Sequence, residues 1–75
     1  METNLKFVVV NKSISSHCCF DATVMDTTKP VTYNVKGKEI QFIDSEGVAH
    51  FKPVCECFTM DDAILICKAL NDLER

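Results

Sequence analysis

The stretch Val54–Leu73 constrains this chain more than any other, because it sets two periodicities side by side. Val54-Cys55-Glu56-Cys57-Phe58 reads as a strand, and the residues beyond Thr59 follow the helical repeat. Thr59 suits a helix N-cap, since its hydroxyl can accept from a free backbone N–H two or three residues on. Asp62 stands three residues later as a shortened capping-box partner, and Phe58 and Ala63 take hydrophobic-staple positions. Asp61 and Asp62 set negative charge at the positive end of the helix dipole, with Lys68 and Arg75 toward the other end. Ala63, Ile66, Leu70 and Leu73 share one stripe, widened by Leu65 and Ala69 on one side and Cys67 on the other. Lys68, Asn71 and Asp72 form the polar face, with Ile64 beside it. So wide an apolar arc belongs to a core helix.

The segments before it read as strands. Leu5–Val10 is rich in β-branched and aromatic residues, with Leu5, Phe7 and Val9 on one face and Lys6, Val8 and Val10 on the other. A polar turn over Asn11–Ser16 leads to a second strand from Cys18 to Met25 or Asp26. Cys18, Phe20, Ala22 and Val24 are its expected core face; Cys19, Asp21, Thr23 and Met25 form the other. Asp26–Pro30 reads as a loop, because Pro30 lacks an N–H and biases Lys29 away from helix. Val31–Val35 and Glu39–Ile43 are short strands around a Lys36-Gly37-Lys38 turn. Asp44-Ser45-Glu46-Gly47 is a second turn, with Gly47 where positive φ is expected, and Val48–Phe51 continues extended. Pro53 predicts a bulge or an edge position for the last strand. Strands first and one helix last imply an α+β fold: an antiparallel four- to five-stranded β-meander with the C-terminal helix on one face.

One helix covers one face of such a sheet. The other is expected to carry Val8, Val10 and Met25, with Ile43 nearby, as an apolar patch. A homodimer or a bound partner protein is the expected cover. The length of 75 residues fits a single small domain, in a size range where one core supplies roughly 3–5 kcal/mol. The net charge of −3 argues against nonspecific nucleic-acid or anionic-membrane binding. Met1-Glu2-Thr3-Asn4 is acidic and polar, and Phe7–Val10 is too short for a leader or a membrane span, so a cytoplasmic protein is expected. Five cysteines, an odd number, in that compartment imply reduced thiols and no disulfide framework.

No complete catalytic, metal or nucleotide motif emerges; the expectation is a non-enzymatic protein without a cofactor. Thiolate and imidazole are zinc's preferred ligands, which makes His17, Cys19, Cys55 and Cys57 the alternative, a small zinc-binding module. Against it, Cys18 and Cys19 would point to opposite faces of a strand, and Cys55 and Cys57 lack the usual knuckle spacing. Cys18, Cys55, Cys57 and Cys67 fit better as small buried hydrophobes. A Cys–His nucleophile pair lacks a surrounding signature, since His17 and Cys19 share a strand face and His50 lies elsewhere. Asp44-Ser45-Glu46-Gly47 lacks the periodicity of a calcium loop, and Lys36-Gly37-Lys38 does not make a phosphate loop. A ligand- or nucleotide-binding sponge would need a pocket the sequence does not display.

The segments Cys18-Cys19-Phe20-Asp21-Ala22-Thr23-Val24-Met25-Asp26-Thr27-Thr28-Lys29-Pro30 and Val54-Cys55-Glu56-Cys57-Phe58, with Asp62-Ala63, Ile66 and Ala69-Leu70-Asn71, resemble small proteins of tailed-phage and prophage genomes. The resemblance covers about half the chain and carries no catalytic residues with it. It implies a phage accessory protein in the host cytoplasm, acting as a stoichiometric inhibitor of a host system, of anti-defence or anti-CRISPR type.

Overall fold

The fold is that of a computed structural model, which describes residues 5–73. The polar start Met1–Asn4 and the position of Arg75 near the helix end lie outside the described residues. Five strands precede one helix: β1 (Phe7–Val10), β2 (Ala22–Pro30), β3 (Thr32–Val35), β4 (Lys38–Gln41), β5 (Phe51–Cys57) and α1 (Met60–Leu73). The fold is α+β with all strand pairs antiparallel. The strands divide into two sheets, one ordered β1-β2-β5 and one formed by the β3–β4 hairpin.

The central strand is β2, and Ala22 to Asp26 are all buried. Its register sets Val9 beside Val24 and Cys55, and Val8 beside Met25. One face carries Phe7, Ala22, Val24 and Cys57 against Ala63 and Cys67 of α1, with Val9, Cys55, Met60 and Leu70 packed around them. Thr59 caps the helix as expected: the Asp62 N–H donates to its Oγ1 at 3.2 Å. The expected staple does not form as drawn, because Phe58 is exposed and its ring lies 5.1 Å from that of Phe20. The buried stripe of α1 is Met60, Ala63, Cys67 and Leu70, turned toward Cys67 relative to the expected one; Leu65 and Leu73 are exposed.

Asn71 explains that rotation. Its Oδ1 accepts from the Phe7 N–H at 2.9 Å, and its Nδ2 donates to the Phe7 carbonyl at 3.0 Å. The carboxamide therefore satisfies both outward backbone groups of an outer strand, so a residue expected on the polar face turns inward. Lys68 precedes the last turn, which carries no basic residue among those described.

Three further expectations are corrected. The second strand begins at Ala22, because Cys18 and Cys19 are the central residues of a turn closed by the Phe20 N–H donating to the His17 carbonyl at 3.3 Å. Cys18 is thus exposed rather than part of the core, and Phe20 is half-buried. Asp26–Pro30 belongs to β2 instead of a loop, although the pairing jumps from Asp26–Lys52 to Pro30–Phe51. Asp26 Oδ1 holds this irregularity by accepting from the Thr28 N–H at 2.9 Å and from Thr28 Oγ1 at 2.6 Å. Those bonds hold the Asp26 carboxyl below the usual carboxylate range.

The sheet face opposite the helix is not an open patch. Met25 is 1% exposed, and Val8 and Val10 are half-buried. The segment after β1 folds back over it: the Ile14 N–H donates to Thr23 Oγ1 at 3.1 Å, and that hydroxyl donates to the Lys12 carbonyl at 2.8 Å. At Pro53 the strand shifts register between Val24 and Met25, and β5 is an outer strand of its sheet, so both effects expected of that proline occur.

Candidate functional site

Three groupings of side chains stand apart from the core. The first is the face of the β3–β4 hairpin. Lys36 and Gly37 close it with φ of 50° and 83°, the pair of positive angles that a tight two-residue hairpin turn demands. The register sets Tyr33 opposite Ile40 and Val35 opposite Lys38. Strand alternation then collects Val31, Tyr33, Val35, Ile40 and Phe42 on one face, with Thr32, Asn34, Glu39 and Gln41 on the other. The Tyr33 and Phe42 rings meet edge-on at 6.3 Å, as shared orientation requires. All five apolar residues are between 38% and 48% exposed.

A polar clasp ties this hairpin to the body. Asp44 organises a turn by accepting at Oδ1 from the Glu46 N–H at 2.9 Å and the Val48 N–H at 3.0 Å. Gly47 completes that turn with φ of 82°, as expected for this position. Asp44 Oδ2 lies 2.8 Å from Lys12 Nζ and 2.9 Å from His50 Nε2, and Lys12 also pairs with Glu46. The Lys12 ammonium, then His50 and the turn N–H groups, hold the Asp44 carboxyl far below its ordinary range. Asp44 and Glu46 in turn raise the Lys12 ammonium. His50 also stands edge-on to Phe42, with ring centres 4.7 Å apart.

The third grouping is the turn His17-Cys18-Cys19-Phe20. Ser13 anchors it: its Oγ accepts from the His17 N–H at 2.8 Å, and it also pairs with Glu56. Ser13, then Ser15, hold the Glu56 carboxyl below its ordinary range. Ser16 adopts φ of 64°, a left-handed residue that redirects the chain. The His17 ring rests on Phe20 at 4.6 Å. One donor atom from each of His17, Cys18 and Cys19 falls within 4.8 Å of the others, and all three residues are exposed.

The zinc alternative set is therefore split. His17 and Cys19 come together with Cys18, whereas Cys57 lies in the core and Cys55 packs against it. Burial, followed by its neighbour Cys57, pushes the Cys55 thiol up, and burial does the same to Cys67. Raised thiols disfavour the thiolate that a metal or a nucleophilic role needs. Val8, Val10 and Met25 do share the face assigned to them, but Met25 is enclosed within the single chain. The hairpin face was readable as alternation at Val31, Tyr33, Val35, Ile40 and Phe42, yet nothing in the pattern shows whether another layer covers it. No helix among the described residues is long and apolar enough to cross a membrane. No family model, curated protein or solved structure matches the chain.

Proposed function

We propose that this chain is a non-enzymatic binding protein that engages a protein partner through the apolar face of the β3–β4 hairpin. The observation that carries the reading is the exposure of Val31, Tyr33, Val35, Ile40 and Phe42 together on one side of a two-stranded sheet. A hairpin with one apolar and one polar face is built to be covered on the apolar side, and aromatic residues supply most of the anchoring energy at protein interfaces. The neighbouring Asp44–Lys12–His50 clasp fixes where the hairpin root stands, so the face is presented in one orientation. Homodimerisation and capture of a host protein by a phage accessory factor are the two forms this activity takes, with the hairpin in place of the Val8, Val10 and Met25 patch.

The test uses the double substitution Tyr33→Asp and Ile40→Asp. Sedimentation of the wild type gives the oligomeric state, and tagged protein expressed in a bacterial host gives the partner. The substituted protein is expected to keep its fold by circular dichroism while losing the dimer or the recovered partner. A wild type that sediments as a monomer and recovers no partner, or a double variant that binds as well as the wild type, overturns the reading.

A further inference from the structure

We propose that the turn His17-Cys18-Cys19-Phe20 is a binding site for a thiophilic d10 cation, with zinc as the ion it takes. Neighbouring side chains on a strand diverge, so convergence here is a product of the turn. Cys18 and Cys19 occupy its two central positions, and their Sγ atoms stand 3.7 Å apart. Two thiolates bound tetrahedrally at about 2.3 Å from one zinc ion are separated by about 3.8 Å, so the pair already has the spacing of a tetrahedral edge.

His17 supplies the third donor. The Cys19 N–H donates to His17 Nδ1 at 3.2 Å, which shows the Nδ1 lone pair directed into the turn. A cation taken at Nδ1 replaces that single long hydrogen bond and leaves the imidazole proton on Nε2. Phe20 supports the ring from beside it, and Ser13 fixes the His17 backbone. None of the three donors belongs to the core, so cation binding does not compete with folding. Each thiol loses its proton to solvent on binding, and no electron is transferred. Three protein ligands leave the fourth tetrahedral position to water. The buried thiols Cys57 and Cys67 offer no comparable access.

The experiment titrates reduced, metal-free full-length protein with Co²⁺ alone and then displaces it with Zn²⁺. The expected result is one equivalent bound, a thiolate-to-cobalt charge-transfer band that zinc abolishes, and proton release detected by calorimetry in buffers of different ionisation enthalpy. Cys18→Ser with Cys19→Ser should lower zinc affinity by more than about a hundredfold, beyond what losing an outer hydrogen-bond partner of a ligand costs. His17→Ala should weaken binding while keeping the sulfur charge-transfer band, and Cys55→Ser should change nothing. Circular dichroism confirms that each variant is folded. Absence of the band in the wild type, undiminished binding in the Cys18/Cys19 double variant, or loss of binding in Cys55→Ser overturns the proposal.

Discussion

The two sheets of this protein use similar residues to opposite ends. In the β1-β2-β5 sheet, the first five residues of β2 are buried on both faces although Thr23 and Asp26 stand there beside Ala22, Val24 and Met25. In the β3–β4 hairpin the division into apolar and polar faces is cleaner, yet every residue of β3 is exposed. Burial follows from what is stacked on a strand: α1 covers one side of β2, and the Asn11–Ile14 segment closes over the other. Among the described residues nothing is stacked on the hairpin to a comparable degree, and its apolar side chains stay exposed. Alternation tells a strand which side to bury, while a separate element decides whether that side is buried at all.

The contrast is broken most forcefully by paired truncations. Met25→Ala removes a fully buried side chain and should cost about 2–5 kcal/mol. Ile40→Ser on the exposed hairpin should change the monomer by no more than about 0.5 kcal/mol. Urea denaturation of both proteins checks this; equal losses would mean that the hairpin face is also part of the folding core.

Asn71→Ala sharpens the comparison at the edge of the buried sheet. It leaves the Phe7 N–H and carbonyl without their side-chain partner, a loss of about 1–3 kcal/mol. Hydrogen exchange should accelerate at Phe7 more than at residues of β2. A uniform change across the sheet would argue that Asn71 acts only through helix packing.

A smaller effect is expected from pH at the hairpin root. The Asp44 carboxyl titrates lower in the folded chain than its unfolded value of about 3.9. Its contribution is therefore complete above that value and is lost progressively as pH falls below it toward the folded pKa. Asp44→Asn should flatten the acid limb of the stability profile below about pH 4. Thermal midpoints measured across that range decide it, and an unchanged limb would show that the clasp does not couple to folding.

Local chemistry was the legible part of the sequence. Thr59, Gly37, Gly47 and Pro53 each act on their own backbone or that of near neighbours, and each is found where its type requires. The readings that failed turned on a distant partner or on local backbone geometry that no glycine or proline marks. Asn71 is polar in any local window, and its bond to Phe7 spans 64 positions of sequence. Alternation carried the second strand back to Cys18 because Ser16 and the turn at His17 interrupt it through backbone geometry rather than through glycine or proline. That one boundary also concealed the candidate metal site, since a strand would have sent Cys18 and Cys19 apart. Asp26–Pro30 looked like a loop because Pro30 lacks an N–H and biases Lys29 away from helix, while the bonds from Thr28 to Asp26 and from Thr27 to the Lys6 carbonyl leave no mark in the pattern.

The carboxamide of Asn71 has a further consequence for the molecule in crowded solution. An outer β-strand is an invitation to foreign chains, which can extend the sheet by pairing with its free rungs. The Phe7 rung is already filled by a side chain that imitates a neighbouring strand. Asn71 therefore leaves an incoming strand no free backbone partner at Phe7, the first residue of the Phe-Val-Val-Val strand.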